Sequence, residues 1–180
     1  MKKETSLLFL VLFLCFFSCA EEQNFNQFND LSIEPIVATS VFYFESPEDI
    51  INAATTPNFF TQTFDFEAFN ERFVSENLLE GSILYLLENT TSKELNLLVE
   101  FLDENATVLD NENFTIQPQP TVMLEREVFY GNTGKSLDIL RNTTSIRITT
   151  ENRGDNISES AVSDPRVILQ SSATFRVQLR

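Results

Sequence analysis

Thr174-Phe175-Arg176-Val177-Gln178-Leu179-Arg180 closes the chain, with Phe175, Val177 and Leu179 alternating against four polar or charged residues. Side chains of a strand point alternately to opposite faces, so this pattern reads as a half-buried strand with one apolar and one wet face. The same period recurs upstream. Ile146 and Ile148 alternate with Ser145, Arg147 and Thr149, while Leu95, Leu97, Val99 and Phe101 are opposed by Glu94, Asn96 and Glu100. Ile83–Leu87 (ILYLL) is apolar on both faces, which suits a central strand covered on either side. Asn89–Ser92 (NTTS) between these two strands reads as a hairpin turn. Further strands are expected at 36–44, 61–66, 107–109, 114–116 and 122–130.

Helix signals are few. Ser46-Pro47-Glu48-Asp49 offers a cap residue, Pro at the first helical position and an acid three residues after the cap, which predicts a short helix to Ala54. Phe66, Phe69 and Phe73 are spaced for one helical face, so a second helix is expected over 67–79, stopped by Gly81. Many short strands separated by turn signals imply a mainly β chain forming a single antiparallel β-sandwich, immunoglobulin-like, with one or two short helices. The strand order is left open. The aromatic run Phe59, Phe60, Phe64, Phe66, Phe69 and Phe73 reads as core.

With 180 residues and 42% hydrophobic content, the chain can bury a core of its own without disulfides or a structural metal. Twelve basic against 27 acidic residues leave a formal charge of −15, which excludes nucleic acid as a partner because phosphate binding needs clustered Lys and Arg. The sequence holds no His, which removes the usual general base and the commonest metal ligand.

The N-terminus carries an address. Lys2 and Lys3 precede an unbroken apolar run of eleven residues, Leu7–Phe17, and Ser18-Cys19 ends it before Ala20-Glu21-Glu22 turns polar. Eleven residues make about 16 Å of helix, too short to span a bilayer and right for a signal h-region. Phe16-Phe17-Ser18-Cys19 resembles the lipobox of bacterial lipoproteins, and a Phe-rich signal with Ser before the Cys is similar to those of Bacteroidetes-type bacteria. The resemblance implies removal of residues 1–18 as a lipoprotein signal peptide and lipidation of Cys19, including a palmitate-type acyl chain on the new terminus. Two or more chains are what stable anchoring requires. It also implies that the acidic pair Glu21 and Glu22 acts as a surface-export signal. Residues 19–31 then form a lipid-anchored tether and 32–180 the sandwich domain. Without Lys2, Lys3 and Glu4, 10 basic and 26 acidic residues remain.

Five segments carry possible chemistry. Gly131–Ser136 (GNTGKS) has the Gly-Lys-Ser of a phosphate loop, but Phe129 stands where the first glycine is needed, so it reads as a turn leading into a helical turn at Leu137–Leu140. No nucleotide is expected. Asp103-Glu104-Asn105 and Asp110-Asn111-Glu112-Asn113 are rich in oxygen ligands, and two adjacent turns would make Asp103, Asn105, Asp110 and Glu112 weak calcium candidates. Val108 in place of the central glycine excludes an EF-hand, and solvated turns explain the same residues. Arg153-Gly154-Asp155 is the integrin-binding string and also an ordinary loop tip. Glu125 and Glu127 share a strand face, as an acid–base pair for hydrolysis would.

The sequence therefore leads to a non-enzymatic, lipid-anchored envelope protein, without catalytic residues or cofactors, that binds or scaffolds components at the outer membrane. The cell surface is favoured over the periplasmic face. Its expected partners are the membrane, through the lipid, and other envelope proteins such as an outer-membrane barrel. An accessory subunit of a secretion, gliding or nutrient-uptake complex is the first alternative, and a carboxylate-dependent hydrolase the second.

Overall fold

The computed structural model describes residues 32–66, 72–118 and 123–179. Cys19, Glu21 and Glu22, the start of the helix expected over 67–79, and Val122 and Arg180 lie outside the described residues. Among the described residues, eight strands run in the order β1 (Ile36–Pro47), β2 (Asn58–Asp65), β3 (Leu78–Asn89), β4 (Leu95–Leu102), β5 (Val108–Ile116), β6 (Leu124–Tyr130), β7 (Ser145–Asn152) and β8 (Arg166–Val177). Three six-residue helices among the described residues interrupt them: α1 (Glu48–Ala53), α2 (Arg72–Asn77) and α3 (Leu137–Asn142). No helix among the described residues is long and apolar enough to cross a membrane.

The strands form two four-stranded antiparallel sheets, β1-β8-β3-β6 and β2-β7-β4-β5. The sandwich expected from the alternation is the architecture observed. Its connectivity follows one rule: the first half of the chain folds back on the second. Strand β1 pairs with β8, β2 with β7, β3 with β6 and β4 with β5, all antiparallel. This is the doubled ribbon of a jelly roll, so the immunoglobulin-like reading holds for the two packed sheets, while the strand order is that of a jelly roll.

Alternation decides which side chains enter. In β4, Leu95, Leu97, Val99 and Phe101 are fully buried, and their register partners Ile116 and Phe114 on β5 and Ile148 and Ile146 on β7 lie on the same inner face. The opposite sheet contributes Ile83, Tyr85 and Leu87 from β3, and Val167, Leu169 and Phe175 from β8. Burying each such side chain contributes about 1.5–3 kcal/mol. The two open sides are closed differently. At the β1/β2 side, the rings of Phe44 and Phe60 meet with centroids 4.5 Å apart. At the β5/β6 side, charged groups do the work.

Three local expectations are corrected. The second helix ends at Asn77, and Leu78 already belongs to β3. Gly81 stops no helix; it sits within β3 opposite Phe175 of β8. There, a Cβ would come 2.9 Å from Phe175 Cε1 and closer still to Cδ1, so only glycine leaves room for the ring. Residues 107–109 and 114–116 are not two strands around a turn. Asp110–Asn113 continue β5 without a break, because Asn96–Phe101 of β4 supplies a partner at every position. Helix α1 forms as expected but starts one residue later, at Glu48, with Pro47 rather than Ser46 as its N-cap and no side-chain cap bond. The Glu48 N–H instead donates to Pro165 O at 2.9 Å. Of the expected aromatic core, Phe66 is buried and Phe59, Phe60 and Phe64 pack partly against it.

Candidate functional site

The ends of the sandwich differ. At one, the chain enters and leaves: Ile33 bridges to Leu179. At the other stand α1, the 90–94 turn between β3 and β4, and the thirteen-residue segment 153–165 between β7 and β8. A loop of that length without secondary structure is uncommon in a compact domain and is usually functional.

This loop is held by two charged side chains buried beneath it. Lys93 is entirely buried, and its Nζ donates to Asp155 Oδ1 at 3.0 Å and to Ser158 O at 2.6 Å. Asp155 also accepts the Ser158 hydroxyl at 2.5 Å and the backbone N–H groups of Ser158 and Ile157 at 2.6 and 3.0 Å. The Ser158 hydroxyl first, then those N–H groups and the Lys93 ammonium, hold the Asp155 carboxyl well below the usual carboxylate range. Glu48, almost fully buried, accepts the Ser92 N–H and hydroxyl, both at 2.6 Å, and the Ser160 N–H at 2.8 Å. Burial alone would push its carboxyl up, but the bonds from Ser92 and Ser160 outweigh that and bring it down.

Amide side chains complete the brace. Asn52 Nδ2 donates to Ser158 O at 3.2 Å, Asn156 Nδ2 to Ala54 O at 3.2 Å, and Asn152 Nδ2 to Asp155 O at 3.0 Å. Between α1 and the loop runs an open groove of about 430 Å³, lined by Asp49, Asn52, Glu159 and Ser160 among others. Ile157 stands 87% exposed on the braced loop, Val162 is exposed further along the same loop, and Ile50 is exposed on α1. The integrin string is thus the root of this loop. Asp155 is tied to Lys93 and Ser158, and Arg153 pairs with Glu151 at 3.0 Å.

A second polar group lies between the sheets at the β5/β6 side. Asp110 and Glu112 share the inner face of β5 with Phe114 and Ile116. Lys135 Nζ bridges their carboxylates at 2.6 Å each, and Arg126 of β6 donates to Glu112 Oε2 and Asn113 O at 3.1 Å. The Arg126 guanidinium also stacks 4.3 Å from the Phe114 ring centre. The GNTGKS turn makes this possible. Gly131 adopts φ +114°, its N–H bonds Lys135 O at 2.9 Å, and Lys135 N–H bonds Phe129 O at 2.8 Å, which turns the lysine back beside Tyr130. Burial would lower the lysine's pKa, but Asp110 and Glu112 raise it instead. The hydroxyls of Tyr85 and Tyr130 are buried without a partner, and burial pushes both phenols up.

The four calcium candidates therefore occupy two settings. Asp103 Oδ1 accepts the N–H groups of Asn105 and Thr107 at 2.9 and 2.8 Å and shapes the β4–β5 turn. Asp110 and Glu112 are not in a turn, and they clamp Lys135 and Arg126. Among the described residues, no group of three or more His, Cys, Asp or Glu could hold a metal ion. Glu125 and Glu127 stand exposed on the outer face of β6, opposite Leu86 and Leu84 of β3. Glu48, Lys93 and Lys135 were not anticipated, although a signal existed for one: Lys93 has the same parity as Leu95, Leu97 and Val99, all of which point inward.

No protein-family model matches the chain, and no curated protein matches it in sequence. Among solved structures, it is similar to the infectious bursal disease virus VP2 subviral particle at 8% identity and a TM-score of 0.40, over 80% of this chain and 32% of that one. The chain thus spans about a third of that protein's length. It is also similar to turnip yellow mosaic virus at 9% identity and a TM-score of 0.36, over 83% of this chain and 82% of that one. Desmodium yellow mottle tymovirus gives 8% identity and a TM-score of 0.34, over 82% and 84%.

Proposed function

We propose that the chain is a non-enzymatic, lipid-anchored envelope protein whose sandwich serves as a binding or scaffolding module at the outer membrane, displayed at the cell surface. The observation that carries this reading is the Ser18-Cys19 junction directly after the eleven-residue run Leu7–Phe17. Glu21 and Glu22 support surface display by their resemblance to an export signal.

The domain's own geometry is compatible with that role. Ile33 bridges to Leu179 at one end of the sandwich, and the braced loop with Ile157 and the groove beside α1 stands at the other. The carboxylates that invite a hydrolase reading, Glu125 and Glu127, stand exposed on an open sheet face. An accessory role in a larger envelope complex uses the same anchor and the same exposed end.

The test is Cys19→Ala in the full chain expressed in a lipoprotein-processing bacterium. The expected result is release from the membrane fraction and loss of acyl labelling. Unchanged detergent-phase partitioning of that variant would overturn the anchor. Glu21→Ala with Glu22→Ala separates the finer point: the protein should stay membrane-bound but become inaccessible to external protease.

A further inference from the structure

The groove between α1 and the 153–165 loop has walls that hold each other in place. Asn52 of α1 donates to Ser158 O, Asn156 of the loop donates to Ala54 O, and Glu48 accepts the Ser160 N–H. An occupant therefore meets a preformed site and need not order the loop, which removes one of the main costs of association.

The polar groups this groove leaves unfilled are acceptors. Its lining includes Glu48, Asp49, Glu159 and Asp164, and no Lys or Arg. Glu48 is engaged by Ser92 and Ser160, and Asp164 pairs with Arg166. Asp49 and Glu159 are exposed and meet no Lys or Arg among the described residues; one Asp49 oxygen accepts the Ile50 N–H at 2.8 Å. Asn52 Oδ1, beside them, is shielded from water and has no partner. Lys and Arg side chains are the complement, since they carry several donors, a positive charge and no acceptor. No three carboxylates among the described residues are placed to hold a metal ion, so the cation has to arrive on a chain of its own. Both walls also turn aliphatic side chains to water, Ile50 on α1 and Ile157 and Val162 on the loop. Ile157 is held where it stands, because its N–H is bonded to Asp155 Oδ1 at 3.0 Å.

We propose that this end of the sandwich docks a protein segment carrying Lys or Arg beside an apolar residue. The cation enters the groove against Asp49 and Glu159, and its apolar neighbour rests on Ile157. The partner class deepens the binding-module reading and rests on it, and it is independent of the lipid anchor.

The test is selection of a random-peptide library on the full chain in detergent, followed by affinity measurement of the selected peptides. Three variants are compared with the unsubstituted chain: Asp49→Asn with Glu159→Gln, Ile157→Ser, and Glu125→Gln with Glu127→Gln on the open face of β6. The last removes the same charge away from the groove. All these positions are exposed, so the variants keep the fold, which equal melting temperatures check. Selected peptides should carry Lys or Arg beside an apolar residue. Their affinity should fall roughly tenfold with either groove variant, weaken as salt rises, and hold with the β6 pair. Selected peptides without a basic residue, or an equal loss with the β6 pair, would overturn the groove as the site and leave the binding-module reading in place. No binding peptide at all would overturn both.

Discussion

Lys93 Nζ stands 3.0 Å from Asp155 Oδ1 with none of the lysine side chain exposed, while the aspartate side chain is 54% exposed. The two partners are therefore unequal. Replacing Lys93 with Met fills the buried volume with an apolar chain and returns Asp155 to water, which is close to neutral for a buried ion pair exchanged for packing. Removing Asp155 leaves a fully buried ammonium with only Ser158 O to receive it. Asp155→Ala should accordingly lower the melting temperature by more than Lys93→Met does, and thermal unfolding of both variants ranks them. The opposite order would show that the brace is governed from the solvent side.

The same loop should loosen in acid. The Asp155 and Glu48 carboxyls are both held below their ordinary range, so each favours the folded loop at neutral pH. That contribution is complete above the unfolded carboxylate value, near about 4, and is lost as pH falls through the lower folded value. Amide hydrogen exchange of residues 155–160, corrected for intrinsic rates, should show protection lost between about pH 4 and the acid limit. Asp155→Asn should reduce that pH dependence, leaving the part due to Glu48.

Lys135 is expected to matter for stability although its turn looks dispensable in sequence. Its ammonium is the common partner of Asp110 and Glu112, whose side chains are only 17% and 11% exposed. Lys135→Ala leaves two carboxylates facing the interior with Arg126 alone, and an unsatisfied buried polar group costs about 1–3 kcal/mol. Denaturant titration should place the variant in that range. The raised lysine pKa sets the alkaline counterpart: its stabilisation is present below about pH 10.4 and is lost as pH rises through the folded value. A midpoint unchanged by Lys135→Ala would mean the clamp contributes nothing.

The sandwich was legible because buried positions recur with period two along several strands, as in Leu95–Phe101 and Ile146–Thr149. The polar interior was not, and the reason is the rule that made the sandwich visible. Asp110 and Glu112 have the parity of Phe114 and Ile116, and Lys93 has that of Leu95, yet charge at an inward position reads as a break in the strand. Their partners come from far along the chain: Asp155 is 62 residues from Lys93, and Lys135 is 23 from Glu112. No local pattern announces such pairing. Gly81 illustrates the converse error, where a glycine after an apolar run resembles a helix stop but exists to admit a ring from the next strand.

That ring gives the sharpest test of the packing. Phe175 is 4% exposed and lies across the ladder from Gly81. Phe175→Ala should cost about 3–5 kcal/mol through lost burial and the cavity left behind, a large share of the about 5–15 kcal/mol such a domain has. Arg176→Ala, next along the strand, removes ion pairs to exposed Glu34 and Glu80 and should cost about 0.5 kcal/mol or less. Gly81→Ala should destabilise by about 1–3 kcal/mol, because the added methyl overlaps the ring. The two sites must then be coupled. Phe175→Leu, with its smaller side chain, relieves the overlap, so the double variant Gly81→Ala with Phe175→Leu should lose less than the sum of the two single changes. Denaturant midpoints of the four proteins in that cycle measure the coupling, and strict additivity would mean the ring does not rest on Gly81.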